Sequence, residues 1–174
     1  KKNNDLTVLI DLGSLYIITG DNEDGAKQFE LAIELAKKET RFLPTIANKF
    51  YKGTNYKFAL EAYKLAKKQN PKPSYSIQIS NIYSQLGDIE NMYQELIQLL
   101  YEFPHYYQTC KNKLRLTITD DFDNENDKKL KKLLIKSVQK NNSHEISKLL
   151  VWLFMHENRF QDALDYEISI DKGI

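Results

Sequence analysis

The chain has 174 residues, of which 25 are Lys or Arg and 24 are Asp or Glu, so its net charge is +1. This balance argues against a protein built as a whole to coat nucleic acid or an anionic membrane. The single cysteine, Cys110, excludes an internal disulfide framework and is predicted to be a buried, unreactive thiol.

The first predicted element is a helix over about 5–19, followed after a break at Gly20 by a second helix over about 22–38. Apolar residues recur on both segments at intervals of three and four residues, which places them on one face of each helix. Gly13 and Gly25 are predicted to be packing notches, because paired helices approach closely only where side chains are short. The stretch therefore predicts a helical hairpin.

The same spacing returns further along the chain, which indicates an internal repeat. Three pairs of predicted packing residues are each separated by 34 residues: Tyr16 and Phe50, Phe29 and Tyr63, and Ala32 and Ala66. Pro44 is predicted to lie in the first turn of its helix, where its missing N–H costs little. A third copy follows, with Tyr83 at the position of Phe50.

The later part of the chain departs from this pattern. A helix is predicted over about 105–119, then an acidic loop over 120–127 and a Lys-rich helix over about 127–140. The apolar run Leu149–Met155 recovers the pattern and is too short to cross a bilayer, so no transmembrane segment is predicted. Trp152, within this run, is predicted to be a core residue.

The spacing of Gly13, Tyr16, Gly25, Phe29 and Ala32 resembles the tetratricopeptide repeat. The resemblance implies an all-α, tetratricopeptide-like solenoid of about five helix-turn-helix units in a right-handed superhelix. The implied division has three regular units in 1–106 (about 6–39, 40–72 and 73–106) and two divergent units in 107–174 (about 107–143 and 144–174).

The resemblance also implies a function, since the first helix of each pair in this family lines a concave groove that binds a peptide or protein. Carried onto this sequence, the groove-facing candidates are Arg41, Asn48, Tyr51, Lys52, Asn81, Gln85, Lys111, Arg115 and Lys148, with Ile10, Ser14, Ile17, Ile77 and Trp152 in the same register. For Tyr51, packing and recognition both remain open. The alternative role is a structural spacer of a longer solenoid that self-associates or docks through its uncapped ends, including a homodimer through the C-terminal unit.

One subtype of the family is predicted to be absent. The carboxylate clamp, by which some members bind an acidic C-terminal tail, has Lys and Asn on its first helix, Asn on its second, and Lys and Arg on its third. In the first unit, Ile10 and Ser14 stand at the first-helix positions. In a register moved on by one unit, the clamp positions hold Pro44 and Asn48, then Gln78, then Gln108 and Asn112, so the clamp is absent in both registers.

No catalytic, metal or cofactor site is predicted. Alternating carboxylates over 121–127 resemble a calcium loop, but Asn126 replaces the required Gly and Lys132 the bidentate Glu, so a solvated loop that caps the next helix is expected. The three histidines lack metal-ligand spacing, and there is no phosphate-binding Gly loop or nucleophile elbow. The chain is therefore predicted not to be an enzyme.

Two further patterns bear on partners and origin. Lysines at 128, 132, 136 and 140 share a helix face that is predicted to be solvated, with phosphates or an acidic protein as the alternative partners. No aromatic residues interleave them, so no nucleic acid is predicted.

The segments 90–93 and 149–154 are similar to large tetratricopeptide proteins of Bacteroidetes, which implies a bacterial, periplasmic protein, with the cytoplasm as the alternative. The missing initiator Met indicates a piece of a longer chain.

Overall fold

The computed structural model of the chain describes residues 2–119, 124–140 and 143–171. These ranges contain α-helices, two short 3-10 helices and turns, and none of their residues lies in a β-strand, so the predicted all-α fold is confirmed. The α-helices are α1 (Lys2–Thr19), α2 (Asn22–Lys38), α3 (Leu43–Lys52), α4 (Tyr56–Gln69), α5 (Pro73–Gln85), α6 (Ile89–Glu102), α7 (Tyr107–Arg115), α8 (Glu125–Lys140), α9 (His144–His156) and α10 (Phe160–Asp171). None of these described helices is both long and apolar enough to cross a bilayer.

The helices belong to two compact units, Lys1–Gly87 with α1 to α5 and Asp88–Ile174 with α6 to α10. In the first unit, α1 pairs with α2 and α3 pairs with α4, and α3 also contacts both helices of the first hairpin. In the second unit, α9 pairs with α10, and α8 contacts both α6 and α9. The division into five repeat units at the boundaries given above stays a prediction.

The first hairpin turns at Gly20, as the sequence predicts. Gly20 has φ +97°, a left-handed conformation that glycine adopts without a steric penalty. The N–H of Asp21 donates to the carbonyl oxygen of Tyr16 at 2.8 Å, which closes the end of α1. The chain is thereby redirected, and α2 packs back along α1.

Gly13 and Gly25 lie where α1 and α2 cross. A Cβ atom on Gly25 would lie 2.7 Å from the carbonyl oxygen of Gly13 and 2.7 Å from Cγ1 of Ile17. A Cβ atom on Gly13 would lie 2.5 Å from a ring carbon of Phe29 and 2.9 Å from the Gly25 carbonyl oxygen. Since these distances are shorter than van der Waals contact, the helices approach so closely only because both residues lack side chains. The predicted packing notches are confirmed at these positions.

Three phenylalanine rings form the centre of the first unit. The ring centroid of Phe29 on α2 lies 5.1 Å from that of Phe50 on α3 and 5.0 Å from that of Phe58 on α4, both edge to face. Phe29 and Phe50 are fully buried. Such pairs contribute about 0.5–1.5 kcal/mol each beyond the burial of their area. This cluster joins the two hairpins, and Pro44 lies in the first turn of α3, as predicted.

Two tyrosines of the second unit, the buried Tyr93 and the half-buried Tyr101, have hydroxyl groups that form hydrogen bonds within the protein. The hydroxyl of Tyr93 donates to Oγ1 of Thr117 at 2.8 Å, and the hydroxyl of Tyr101 donates to the carbonyl oxygen of Ser137 at 2.6 Å. Burial raises the pKa of Tyr93 to about 12. Both tyrosines therefore combine apolar packing with a polar anchor between segments.

The helix predicted over about 105–119 is shorter than expected. A 3-10 helix spans Pro104–Tyr106, and α7 ends at Arg115. The Thr117 hydroxyl donates to the carbonyl oxygen of Leu114 at 2.7 Å. This oxygen would accept the next backbone hydrogen bond if the helix continued, and the hydroxyl takes that place. Local side-chain bonds of this kind compete with helix continuation. The last predicted turn of this helix is therefore wrong.

The acidic segment also differs from the prediction where it is described. Asp127 is 1 % exposed, and one of its carboxylate oxygens accepts a hydrogen bond from the N–H of Thr119 at 3.4 Å. This carboxylate is thus buried in the first turn of α8, where the positive end of the helix dipole favours a negative charge. Asp121 and Asp123 lie outside the described residues.

Lys131 and Glu157 form a buried ion pair that the sequence did not predict. The ammonium of Lys131, on α8, lies 2.6 Å from both carboxylate oxygens of Glu157, which follows the end of α9. The Glu157 side chain is only 2 % exposed. Arg159 lies further away, 3.6 Å from the same carboxylate. Lys131 is therefore the main counter-ion of a charge held out of water.

Cys110 is fully buried on α7, with its Sγ 3.7 Å from the carbonyl oxygen of Leu96, so the expected buried thiol is confirmed. Burial raises the pKa of the thiol to about 12, although nearby Lys113 opposes this shift. Because the thiolate is the reactive form, we expect the native protein to react with Ellman's reagent about a hundredfold more slowly than the urea-unfolded protein. Equal labelling rates in buffer and in urea would contradict this expectation.

Candidate partner-binding site

Some of the predicted groove residues of the first unit come together at one edge of this unit. The half-buried ring of Tyr51, on α3, has its centroid 5.7 Å from that of Tyr56, the first residue of α4. The Tyr56 hydroxyl donates to Oε1 of Gln85, on α5, at 3.4 Å. Asn48 and Lys52, four residues apart on α3, are both exposed. Tyr56 was missed in the sequence, although its place directly after the α3–α4 turn was a usable signal.

Other predicted positions of the first unit do not join this edge. Arg41 lies in a 3-10 helix before α3, where its guanidinium is 3.0 Å from the Glu39 carboxylate and 4.7 Å from the centre of the Phe42 ring. Ile10 is only 2 % exposed, and the Ser14 hydroxyl donates to the Ile10 carbonyl oxygen at 2.9 Å. The register assigned Ile10 to the groove, but α1 buries it, so that assignment is wrong. Asn81 is half-buried on α5.

In the second unit, the predicted candidates come together on α7 and α9. We call this surface the cation–aromatic face, and it consists of two rows with four-residue spacing: Tyr107, Lys111 and Arg115 on α7, and Lys148, Trp152 and His156 on α9. Residues four apart lie on the same side of a helix. The two rows therefore present basic and aromatic groups on one side of each helix.

Direct contacts join the two rows. The ammonium of Lys111 lies 5.5 Å from the centre of the Trp152 ring and 6.0 Å from that of Tyr107. The Trp152 and His156 ring centroids are 6.2 Å apart. A lysine over an indole at an exposed site contributes about 0.5–1 kcal/mol. Trp152 is half-buried rather than a core residue, because its neighbour on α7 is a lysine and not an apolar side chain.

The cation–aromatic face carries three cationic side chains. Arg115 and Lys148 are exposed, and Lys111 is half-buried. Within the described ranges, none of these three cations has a carboxylate at ion-pair distance. The sequence had placed all three in the groove by register, but the contact between Lys111 and Trp152 required the packing of α7 beside α9. Tyr107 and His156 were missed, although their four-residue spacing from predicted candidates was visible.

The side chains of the cation–aromatic face are able to contact another molecule. A cation beside an indole can bind a carboxylate while the ring packs against an apolar side chain. In the part of the chain that the structure describes, no group of three or more His, Cys, Asp or Glu side chains is placed to hold a metal ion.

The comparisons with known proteins concern the fold. Residues 6–39, which span most of α1 and all of α2, match the family profile of the Tetratricopeptide repeat, so the resemblance predicted from Gly13, Gly25 and Phe29 is confirmed for this hairpin. No curated protein sequence matches the chain. Two matching solved structures are pilF of Pseudomonas aeruginosa (18 % identity, TM-score 0.42, covering 100 % of this chain and 79 % of that chain) and a tetratricopeptide repeat protein from Parabacteroides merdae (12 % identity, TM-score 0.38, covering 97 % and 80 %).

Proposed function

We propose, on the premise that residues 6–39 are a tetratricopeptide repeat, that the chain is a non-catalytic scaffold that binds a peptide or protein partner. Repeats of this kind stack helical hairpins into extended surfaces, which serve for binding. The proposed primary contact is the cation–aromatic face, and the edge formed by Asn48, Tyr51, Lys52, Tyr56 and Gln85 is a second surface for the same role.

The observation that carries this proposal is the Lys111 ammonium over the Trp152 ring, with Arg115 and Lys148 one turn away on their helices. Three cations beside an aromatic ring favour a partner segment that carries several carboxylates and at least one apolar side chain. Arg and Trp are also among the residues that contribute most to binding energy at interfaces. The proposed partner is therefore an extended acidic peptide with apolar residues between its carboxylates.

The test uses the only tryptophan of the chain as a reporter, since Trp152 lies within the proposed site. We expect a synthetic peptide of alternating glutamate and phenylalanine to change the Trp152 fluorescence, and a lysine–phenylalanine peptide to leave it unchanged. Joint substitution of Lys111, Arg115 and Lys148 by Ala is expected to weaken binding at least about tenfold, because each exposed charge contributes a few tenths to one kcal/mol.

A matched control removes the same charge from another helix. Lys128, Lys132 and Lys136 are exposed on α8, and their joint substitution by Ala is expected to leave peptide affinity within about twofold of the unsubstituted protein. Equal losses in the two triple variants would mean that only net charge attracts the peptide, and would contradict a site on α7 and α9. Absence of binding by the unsubstituted protein would contradict the acidic-peptide proposal outright.

A second candidate role is favoured by apolar side chains exposed on the terminal helices. Among the described residues, five large apolar side chains of α1 and three of α10 are exposed to solvent, including Leu15 and Leu164. Such surfaces mark interaction sites when they are contiguous. In this role the chain is a segment that docks through its terminal helices onto further helical hairpins or onto a second copy.

A further inference from the structure

The packing of α5 on α4 supplies a template for a contact between copies of the chain. Both helices belong to the first unit, and three side-chain pairs join them. The pairs are Tyr56 with Gln85 (hydroxyl to Oε1, 3.4 Å), Lys64 with Tyr83 (ammonium to ring centre, 5.3 Å) and Tyr63 with Tyr75 (ring centroids, 6.1 Å). Each helix therefore contributes a defined row of positions to this contact.

Helix α1 exposes the face that corresponds to the face of α5 from Tyr75 to Gln85, and both of these residues contact α4. Tyr16 and Tyr83 occupy the same repeat position, 67 residues apart. In this register, four apolar residues of α1 take the places of Tyr75, Ile79, Ile82 and Gln85, of which Ile79 and Ile82 are fully buried. We call these four the α1 row: Val8 (59 % exposed), Leu12 (38 %), Leu15 (59 %) and Ile18 (80 %).

Helix α10 exposes the row that α4 uses. Phe154 corresponds to Phe50 and Ala163 to Ala59, each pair 104 residues apart, which sets the register of the last hairpin. Three apolar residues of α10 then take the places of Tyr56, Leu60 and Lys64. We call these three the α10 row: Phe160 (56 % exposed), Leu164 (54 %) and Ile168 (41 %).

The two rows are matched in chemistry as well as in position. Where α4 and α5 pair the polar ends of Tyr56 and Gln85, the α10 row has Phe160 and the α1 row has Ile18, so both partners become apolar together. Where Lys64 meets an aromatic ring, Ile168 would meet the ring of Tyr16. An apolar row gains most when the facing row is also apolar, because neither then buries an unpaired polar group.

We infer that copies of this chain associate with one another, with the α1 row of one copy packed on the α10 row of the next. The inference rests on the second candidate role and identifies the docking partner as a second copy of the chain. The reason is that one chain carries counterparts of both halves of the α4–α5 contact. The contact joins two different surfaces, so it leaves one row free at each end and repeats into open chains unless the rotation closes a ring.

Two single substitutions block one row each. Leu15→Glu charges the α1 row, and Leu164→Glu charges the α10 row. Each is expected to weaken self-association at least about tenfold, because a carboxylate buried without a partner is costly. Since both leucines are more than half exposed, far-UV circular dichroism and the melting temperature are expected to remain those of the unsubstituted protein.

Sedimentation velocity from micromolar to millimolar concentration decides the geometry. The unsubstituted protein is expected to grow beyond a dimer, and each variant alone to remain monomeric. An equimolar mixture of the two variants is expected to form a dimer and nothing larger, since it combines one intact α1 row with one intact α10 row. Growth of Leu15→Glu alone would overturn the inference in favour of an α10–α10 contact, and a monomeric mixture would also overturn it.

One position departs from the template and provides a test in the opposite direction. Glu167 stands where α4 has Tyr63, which packs on Tyr75, and it would face Val8 of the next copy. Glu167→Tyr is therefore expected to strengthen self-association at least about threefold, since an aromatic pair replaces a carboxylate beside an apolar side chain. No gain in association would count against the proposed register.

The failures of the separate proposals are distinguishable. No substituted residue belongs to the cation–aromatic face, so peptide binding is measured independently. If the unsubstituted protein remains monomeric at all concentrations, a second copy of the chain is not the partner of the α1 and α10 rows. In that case, if the protein binds the dye ANS and Leu15→Glu abolishes this binding, the second role stands with another helical partner. If the dye does not bind, both the second role and the contact between copies are overturned.

Discussion

Gly25→Ala is expected to lower the free energy of unfolding by about 2 kcal/mol, although helix propensity alone predicts a gain of about 1 kcal/mol. The new Cβ atom would lie 2.7 Å from the carbonyl oxygen of Gly13 and 2.7 Å from Cγ1 of Ile17. A side chain could rotate away, but the Gly13 oxygen belongs to the backbone of α1. The two helices would therefore have to separate along their contact. Urea unfolding followed by far-UV circular dichroism measures the change.

Gly53→Ala is the matched control for this substitution. Gly53 follows α3 with φ −82°, a conformation open to alanine, and the nearest atom to its new Cβ would be the side-chain amide of Asn55 at 3.2 Å. Because this amide can move, the stability is expected to stay within about 0.5 kcal/mol of the unsubstituted protein. A Gly25→Ala variant as stable as Gly53→Ala would contradict the close approach of α1 and α2.

Lys131→Met is expected to lower the free energy of unfolding by about 3 kcal/mol, because it leaves the Glu157 carboxylate buried without its main counter-ion. The ammonium of Lys131 is 2.6 Å from that carboxylate, whereas Arg159 remains 3.6 Å away and also pairs with Asp162 at 2.6 Å. Removing one partner of a buried pair costs more than the pair itself contributes. Unfolding in urea, followed by Trp152 fluorescence, reports on this unit.

A double-mutant cycle separates the pair from the packing of the lysine stem. Adding Glu157→Leu to Lys131→Met removes the stranded charge, and we expect it to recover at least about half of the lost stability. The control is Lys132→Met, the neighbouring lysine on α8, which is exposed and should change stability by less than about 0.5 kcal/mol. Equal effects at Lys131 and Lys132 would show that burial of the ion pair contributes nothing.

Residue spacing predicted most of the first hairpin correctly. The observed helices end at Thr19 and begin again at Asn22, as the break at Gly20 indicated, and Pro44 occupies the first turn of α3. These features depend on neighbours within one or two turns, so local sequence contains the necessary information. The close approach at Gly13 and Gly25 was also predictable, because the repeat places small residues where the two helices of a hairpin cross.

The candidate site was predicted only in part. Register selected Lys111, Arg115, Lys148 and Trp152 one helix at a time, but it could not indicate which of them would touch. The same reasoning placed Ile10 in the groove, although α1 buries it. Helical spacing defines the faces of a single helix, whereas contacts between helices depend on their crossing and offset. The cation–aromatic face therefore emerged only when α7 and α9 were placed together.

The sequence by itself determined the helices, the repeat and the small residues that permit tight pairing, because these follow from periodicity along the chain. Only the tertiary structure decided which charges are buried. Lys131 and Lys132 are adjacent and chemically identical, yet one neutralises Glu157 inside the protein while the other is exposed. Asp127 was likewise expected in a solvated loop and is buried beside Thr119. Such outcomes depend on segments distant in sequence, whose carboxylates and backbone groups become neighbours only on packing.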